Sequence, residues 1–182
     1  YVSKRPPYAD FGVWGPFGRR AYRASKFRAW LPTMNGEYIT KELPGPESFR
    51  HWQASWRVFE VACIMLDVAS PAALTLYASN IEQMVTTIPE AWHLVAMADD
   101  RARAENLERT RRAVISDINA GGARPQDWNP EKPWATCFRL LAGNAVFWDT
   151  QVRHPAAAWL ARGGRGVPLA PEERVAAPTE TS

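Results

Sequence analysis

Residues 46–88 read PESFRHWQASWRVFEVACIMLDVASPAALTLYASNIEQMVTTI, and this stretch decides the fold class. Phe49, Trp52, Trp56, Phe59, Cys63 and Leu66 recur at steps of 3 and 4, one apolar stripe of a helix. Leu74, Tyr77, Ile81, Met84 and Ile88 repeat the pattern. Between them Ser70-Pro71 supplies a capping hydroxyl followed by proline at the first helical position. Gly45 breaks the chain upstream, and Pro46 with Glu47 suits the opening turn of the first helix. Pro89 ends the second helix or starts the next.

Outward from this pair the same reading continues. A third helix is expected from about residue 90 to about 119, with Trp92, Leu94, Val95 and Ala98 apolar and the middle, DDRARAENLERTRR, charged; Gly121-Gly122 stop it. ARPQDWNPEKP is a proline-rich connection. A fourth helix begins near Pro133 and carries Trp134, Phe138, Leu141, Ala145, Trp148 and Val152; His154-Pro155 breaks it, and AAAWLAR adds a short fifth. On the N-terminal side, KFRAWLPTMNGEYITKELP reads as a β-hairpin. Asn35-Gly36 is the two-residue turn, Phe27, Ala29 and Leu31 form one face, and Pro32 marks an edge. The expected division is a basic aromatic arm at 1–25, a hairpin at 26–43, a helical domain at 46–162 and a disordered tail at 163–182. The fold class is mainly α: a bundle of four main helices with an N-terminal hairpin.

A chain of 182 residues suits one domain with tails. The longest apolar run, VACIML, is far too short to span a bilayer, and no signal peptide is visible. The chain opens on Tyr1 rather than Met, as an excerpt from a longer protein would. The expected location is intracellular, cytoplasm or nucleus. Net charge is +3 but uneven: residues 1–30 hold seven basic side chains against Asp10 alone. Arg19, Arg20, Arg23, Lys26 and Arg28 are therefore the candidates for contact with a polyanion.

The motifs exclude more than they assign. There is no phosphate loop, dinucleotide fingerprint, HExxH, GxSxG or CxxC. Cys63 and Cys137 read as buried free thiols, with neither a disulfide nor a metal site indicated. His51 and His93 read as surface or boundary residues. Asp99–Arg103, Glu105–Arg109 and Glu108–Arg112 are spaced i, i+4 with the acid first, which reads as a solvated ion-pair face at about 0.2–0.5 kcal/mol a pair. RGGRG at 162–166 resembles one unit of an RGG-type RNA-binding segment, but as a single copy it reads first as a flexible linker. Of the nine tryptophans, Trp52, Trp56, Trp134 and Trp148 lie on apolar stripes and belong first to a core. Trp14 and Trp30 flank the basic arm; they either stack on bases or pin the arm to the helices, and pinning is the expectation.

Read together, FGVWGPFGRR, ELPGPESFRHWQASWRVF, ASPAAL, ADDRAR and HPAAAWLARGGRG resemble the uncharacterised, highly repeated, retroelement-associated open reading frame proteins of dinoflagellate algae. The resemblance runs from about Phe11 to about Glu173. It implies a Gag-like order, a helical capsid-like domain ahead of a nucleic-acid-binding tail, and it supplies no catalytic residue. The expected function is thus a non-enzymatic structural protein that self-associates and contacts RNA through the basic arm. No cofactor, metal, membrane or small-molecule substrate is expected. The alternative is a helical accessory or adaptor subunit that binds a protein partner through exposed tryptophans.

Overall fold

A computed structural model describes residues 5–13 and 25–164. The architecture is mainly helical with one antiparallel hairpin, as the apolar stripes require. Strand β1 is Lys26–Pro32 and β2 is Tyr38–Pro44, paired from Lys26↔Pro44 to Pro32↔Tyr38. The turn differs from the expected two-residue form. Thr33 N–H donates to Glu37 O at 2.7 Å and Gly36 N–H to Thr33 O at 3.0 Å, so three residues, Met34 to Gly36, make the tip. Only Gly36 takes a positive φ, at 75°. That is a type I turn closed by a left-handed glycine rather than a turn with two left-handed positions.

Helix α1 is Phe49–Met65 and α2 is Pro71–Thr87. The first starts three residues later than Pro46 suggests, because Ser48 is its cap: the hydroxyl accepts from His51 N–H, as that of Ser70 accepts from Ala73 N–H on α2. Helix α1 ends in a Schellman motif. Val68 N–H reaches Cys63 O and Asp67 N–H reaches Ile64 O. The left-handed residue there is Asp67, at φ 53°, alone among the described non-glycine residues. It forms an ion pair with Lys132, tying that end to the later proline-rich connection. Leu66, counted above as the end of the stripe, is exposed.

Helix α3, Trp92–Arg101, runs into α4, Leu107–Asn119, through a π-helical turn at Ala102–Asn106. The inserted residue explains the spacing of the buried apolar positions. Val95, Ala98 and Ala102 step as an α-helix should, and the next, Leu107, comes five residues later. Gly121 and Gly122 cap α4 as expected.

The expected fourth helix is cut elsewhere. Helix α5 is Trp134–Ala142, Gly143 and Asn144 interrupt it, and α6 is Ala145–Trp148. Ala145 is exposed, not in the core. A second π-helical turn, Asp149–Arg153, leads into α7, His154–Ala161. His154-Pro155 therefore does not break the helix; it lies in a continuous helical run, directly after the wider π-helical turn. Gly163 and Gly164 then close α7, their N–H groups reaching Leu160 O and Trp159 O. The first half of RGGRG is thus a helix cap; residues 165–182, where the disordered tail was expected, lie outside the described residues.

One large core joins α1, α2, α4 and α5. Trp52, Trp56, Phe59, Leu74, Tyr77, Ile81, Phe138, Leu141 and Trp148 are all buried in it. The hairpin uses both faces. Phe27 and Ala29 pack on Ala96 and Met97 of α3. Trp30 and Tyr38 pack on the start of α3 and on Ala156 and Trp159 of α7. Arg162 donates to Gly36 O and lies 5.9 Å from the Tyr38 ring, fastening the hairpin tip. A two-stranded ribbon that is marginal alone is held here by helices on either side.

Candidate functional site

Two places concentrate chemistry: a buried ionic centre and the base of the basic segment. The centre corrects the reading of the DDRARAEN stretch. Asp99 and Arg103 are each 1% exposed, so their i, i+4 pair is not a solvated face. Arg103 Nε and Nη2 donate to Asp99 Oδ2 at 3.0 and 2.9 Å. Trp52 Nε1 donates to the same oxygen at 2.8 Å, and Tyr77 Oη donates to Oδ1 at 3.0 Å. The remaining Arg103 nitrogen, Nη1, reaches Ala9 O at 2.6 Å, and the guanidinium carbon sits 3.9 Å from the Phe11 ring centre. Four elements converge there: α1, α2, α3 and the N-terminal strap at residues 8–11.

The electrostatics follow from burial. Desolvation works against the Arg103 charge, but the adjacent Asp99 carboxylate more than offsets it and raises the guanidinium above its ordinary pKa. Burial first, and then the Asp99 charge, push the Tyr77 phenol well up. Both oxygens of Asp99 are occupied by donors. A carboxylate so held is an acceptor hub that locks three helices and a strap.

Beside the centre lies a cavity of about 540 Å³ between the hairpin and α3. Asp10, Asp100, Arg101, Glu105 and Gln151 give it polar walls; Phe27, Leu43 and Met97 give it apolar ones. Both π-helical turns contribute, and Arg101 Nη1 donates to Gln151 Oε1 at 2.9 Å across it. Tyr8 Oη donates to Asp100 Oδ1 at 2.7 Å.

The described residues on either side of the basic segment meet at one point. Ser25 N–H donates to Gly12 O at 2.7 Å, and Gly45 N–H donates to Ser25 O at 2.8 Å. Gly12 N–H is held by Asp10 Oδ1 at 2.7 Å. Phe11, just before the junction, is buried against Trp52, Trp56 and Phe59. Gly45 is required: its φ is +148°, and a Cβ there would lie 2.7 Å from Phe27 Cε1.

Of the nucleic-acid candidates, Arg19, Arg20 and Arg23 lie outside the described residues, as does Trp14. Lys26 and Arg28 are exposed on β1, and Lys26 pairs with Glu42 at 3.8 Å. Trp52, Trp56, Trp134 and Trp148 are buried core residues; Trp30 is half-buried. None of the eight described tryptophans is exposed. An adaptor surface of exposed indoles would have to draw on Trp14 or on the half-buried Trp30 and Trp92. Glu108 does pair with Arg112, at 2.9 Å, but also with Arg111, and the two guanidiniums hold its carboxyl down to about 2. Glu105 meets Arg101 at 4.0 Å in place of Arg109, since the π-helical turn changes which residues share a face.

Sequence reasoning missed Tyr8, Phe11, Tyr77 and the buried state of Asp99 and Arg103. One signal was available: Trp52 and Tyr77 sit on buried stripes with polar tips that need partners. Both cysteines are buried free thiols, as expected; burial, with Glu60 adding to it, pushes Cys63 up to about 11, and burial pushes Cys137 up to about 12. Among the described residues no group of three or more His, Cys, Asp or Glu could hold a metal ion, and no helix is long and apolar enough to cross a membrane.

His93, expected at the surface or its boundary, is buried, edge-on to Trp159 at 5.0 Å, with Nε2 lacking a partner. Burial lowers its pKa from 6.5 to about 4. The unfolded chain then binds the extra proton first, so stability falls as pH drops from 6.5 towards 4. The loss should reach about 3 kcal/mol. Denaturant melts at a series of pH values should show it, and His93→Phe should flatten the profile in that window.

Compared with models of protein families, with curated proteins and with solved structures, the chain matches none.

Proposed function

We propose that the chain is a non-enzymatic structural protein of the Gag-like kind, which self-associates and contacts RNA through its basic N-terminal segment. The observation that carries this reading is the junction at Gly12, Ser25 and Gly45. It brings together Gly12 and Ser25, described residues on either side of WGPFGRRAYRA, residues 14–24 of the sequence. That segment holds three arginines and no acid, and Lys26 and Arg28 stand exposed immediately beyond it. Arginines concentrated beside aromatic residues suit contact with single-stranded RNA, phosphate by charge and base by stacking. The saturated Asp99–Arg103 centre supports the non-enzymatic half of the reading, because its polar atoms are committed to joining helices.

Changing Arg19, Arg20 and Arg23 together to Ala should lower RNA affinity by at least about tenfold at low salt and reduce the slope of log affinity against log salt by roughly 2, for three lost phosphate contacts on a single strand. Filter binding or fluorescence anisotropy over a salt series measures both. An unchanged affinity and slope, with folding intact, would sink the RNA-binding half of the proposal.

A further inference from the structure

Helix α1 carries a second apolar stripe. Ala54, Val58, Val61 and Met65 step 4, 3, 4 on the side roughly opposite Trp52, Trp56, Phe59 and Cys63. Val58 is 41% exposed, Val61 54% and Met65 80%, with Leu66 at 75% just past the helix end. Helices with one core face normally present charge on the other; a helix apolar on both has a second face to cover. Met34 on the hairpin tip and Val146 on α6 stand singly and need no explanation.

We infer that this outer face of α1 is the self-association surface, covered by the same face of a second copy in antiparallel orientation. The inference rests on the self-associating reading above and names its surface. Two observations select a second copy as the occupant. The first is spacing: 4, 3, 4 is the same read from either end, so a two-fold axis between Val58 and Val61 sets the stripe against itself. In that register Val58 meets Val61 of the second copy, and the small Ala54 lies opposite the long Met65, so large side chains fall into small gaps. The second is area. Val58, Val61, Met65 and Leu66 together expose roughly 400–500 Å², within the range of the largest patch on a monomer. Val13 and Tyr8, across a groove floored by Phe59, Ala62 and Cys63, extend it towards the ~800 Å² that each partner contributes to a stable interface.

The test is sedimentation equilibrium of the full chain from about 1 to about 200 µM, a range that brackets micromolar dimers. The wild type should dimerise. Val61→Glu with Met65→Glu should raise the dissociation constant at least about 100-fold, whereas Val146→Glu should leave it unchanged. Near-UV circular dichroism of the tryptophan core reports folding of each variant. Independently, Val61→Cys should form an intermolecular disulfide on mild oxidation, since the native thiols are buried and the new one lies beside the axis; Val146→Cys should not. A dimer that tolerates the glutamate pair and does not cross-link at position 61 overturns this surface and leaves self-association standing. A wild type that stays monomeric throughout, as it would if residues 165–182 covered the stripe, overturns both.

Discussion

Arg103→Met should destabilise the chain by about 3–5 kcal/mol, because it strands a buried carboxylate. Against a total stability of roughly 5–15 kcal/mol for a domain, that is a loss large enough to leave much of the protein unfolded at 37 °C. After the change, Asp99 keeps Trp52 and Tyr77 as donors but loses the two nitrogens of the guanidinium at 2.9 and 3.0 Å. Ala9 O loses its donor, and Phe11 loses the cation above its ring. The midpoint of urea unfolding measures the effect. Adding Asp99→Leu to Arg103→Met should recover part of the loss, since both charges are then gone. Recovery should be incomplete, because the indole and phenol are left without an acceptor at about 1–3 kcal/mol each. A single-variant loss below about 1 kcal/mol would mean that the pair is solvated after all.

Trp56→Ala should cost a similar amount, about 3–5 kcal/mol, by a different route. Its ring lies 5.1 Å from that of Trp52, 5.2 Å from Tyr77 and 5.3 Å from Phe59, with Phe138 edge-on at 6.1 Å. Removing it opens a void at the meeting of α1, α2 and α5 and removes several ring–ring contacts, each adding about 0.5–1.5 kcal/mol beyond burial. The loss should appear in denaturant melts together with a collapse of the near-UV signal. Trp56→Phe, which keeps an aromatic ring, should retain most of the stability. If Trp56→Ala melts like the wild type, the aromatic stack is not the core of this fold.

The helices α1 and α2 were legible because each stripe repeats at 3.6 residues, and the start of α2 because Ser70-Pro71 caps it; the Ser48 cap of α1 went unread behind Pro46. The hairpin was legible from alternation and the glycine of its tip. What escaped was long-range. An i, i+4 acid–base pair has the same spacing whether it faces water or a core. Only the arrival of Trp52, Tyr77 and Phe11, from 47, 22 and 92 residues away, makes the difference for Asp99 and Arg103. The π-helical turns escaped for a related reason. Each shifts the stripe by one residue, so Leu107 looks out of phase with Val95 and Ala98 unless the inserted residue is known. Of the candidate site, the basic character of 1–30 could be read directly, but the junction depends on Gly12, Ser25 and Gly45 meeting. The outer stripe of α1 was hidden by its own neighbours, since VFEVACIML reads as uniformly apolar until one face is seen to be taken.

The clasp on the hairpin has a consequence for the order of events during synthesis. The bond from Arg162 to Gly36 spans 126 residues, and Trp159 lies against the same face. The ribbon leaves the ribosome well before the helix that secures it. Until then it is a pair of strands with one face uncovered, opening and closing quickly. Completion of the fold waits on a contact of high sequence separation, so the closing step belongs late in folding and is the one most exposed to mispairing between nascent chains.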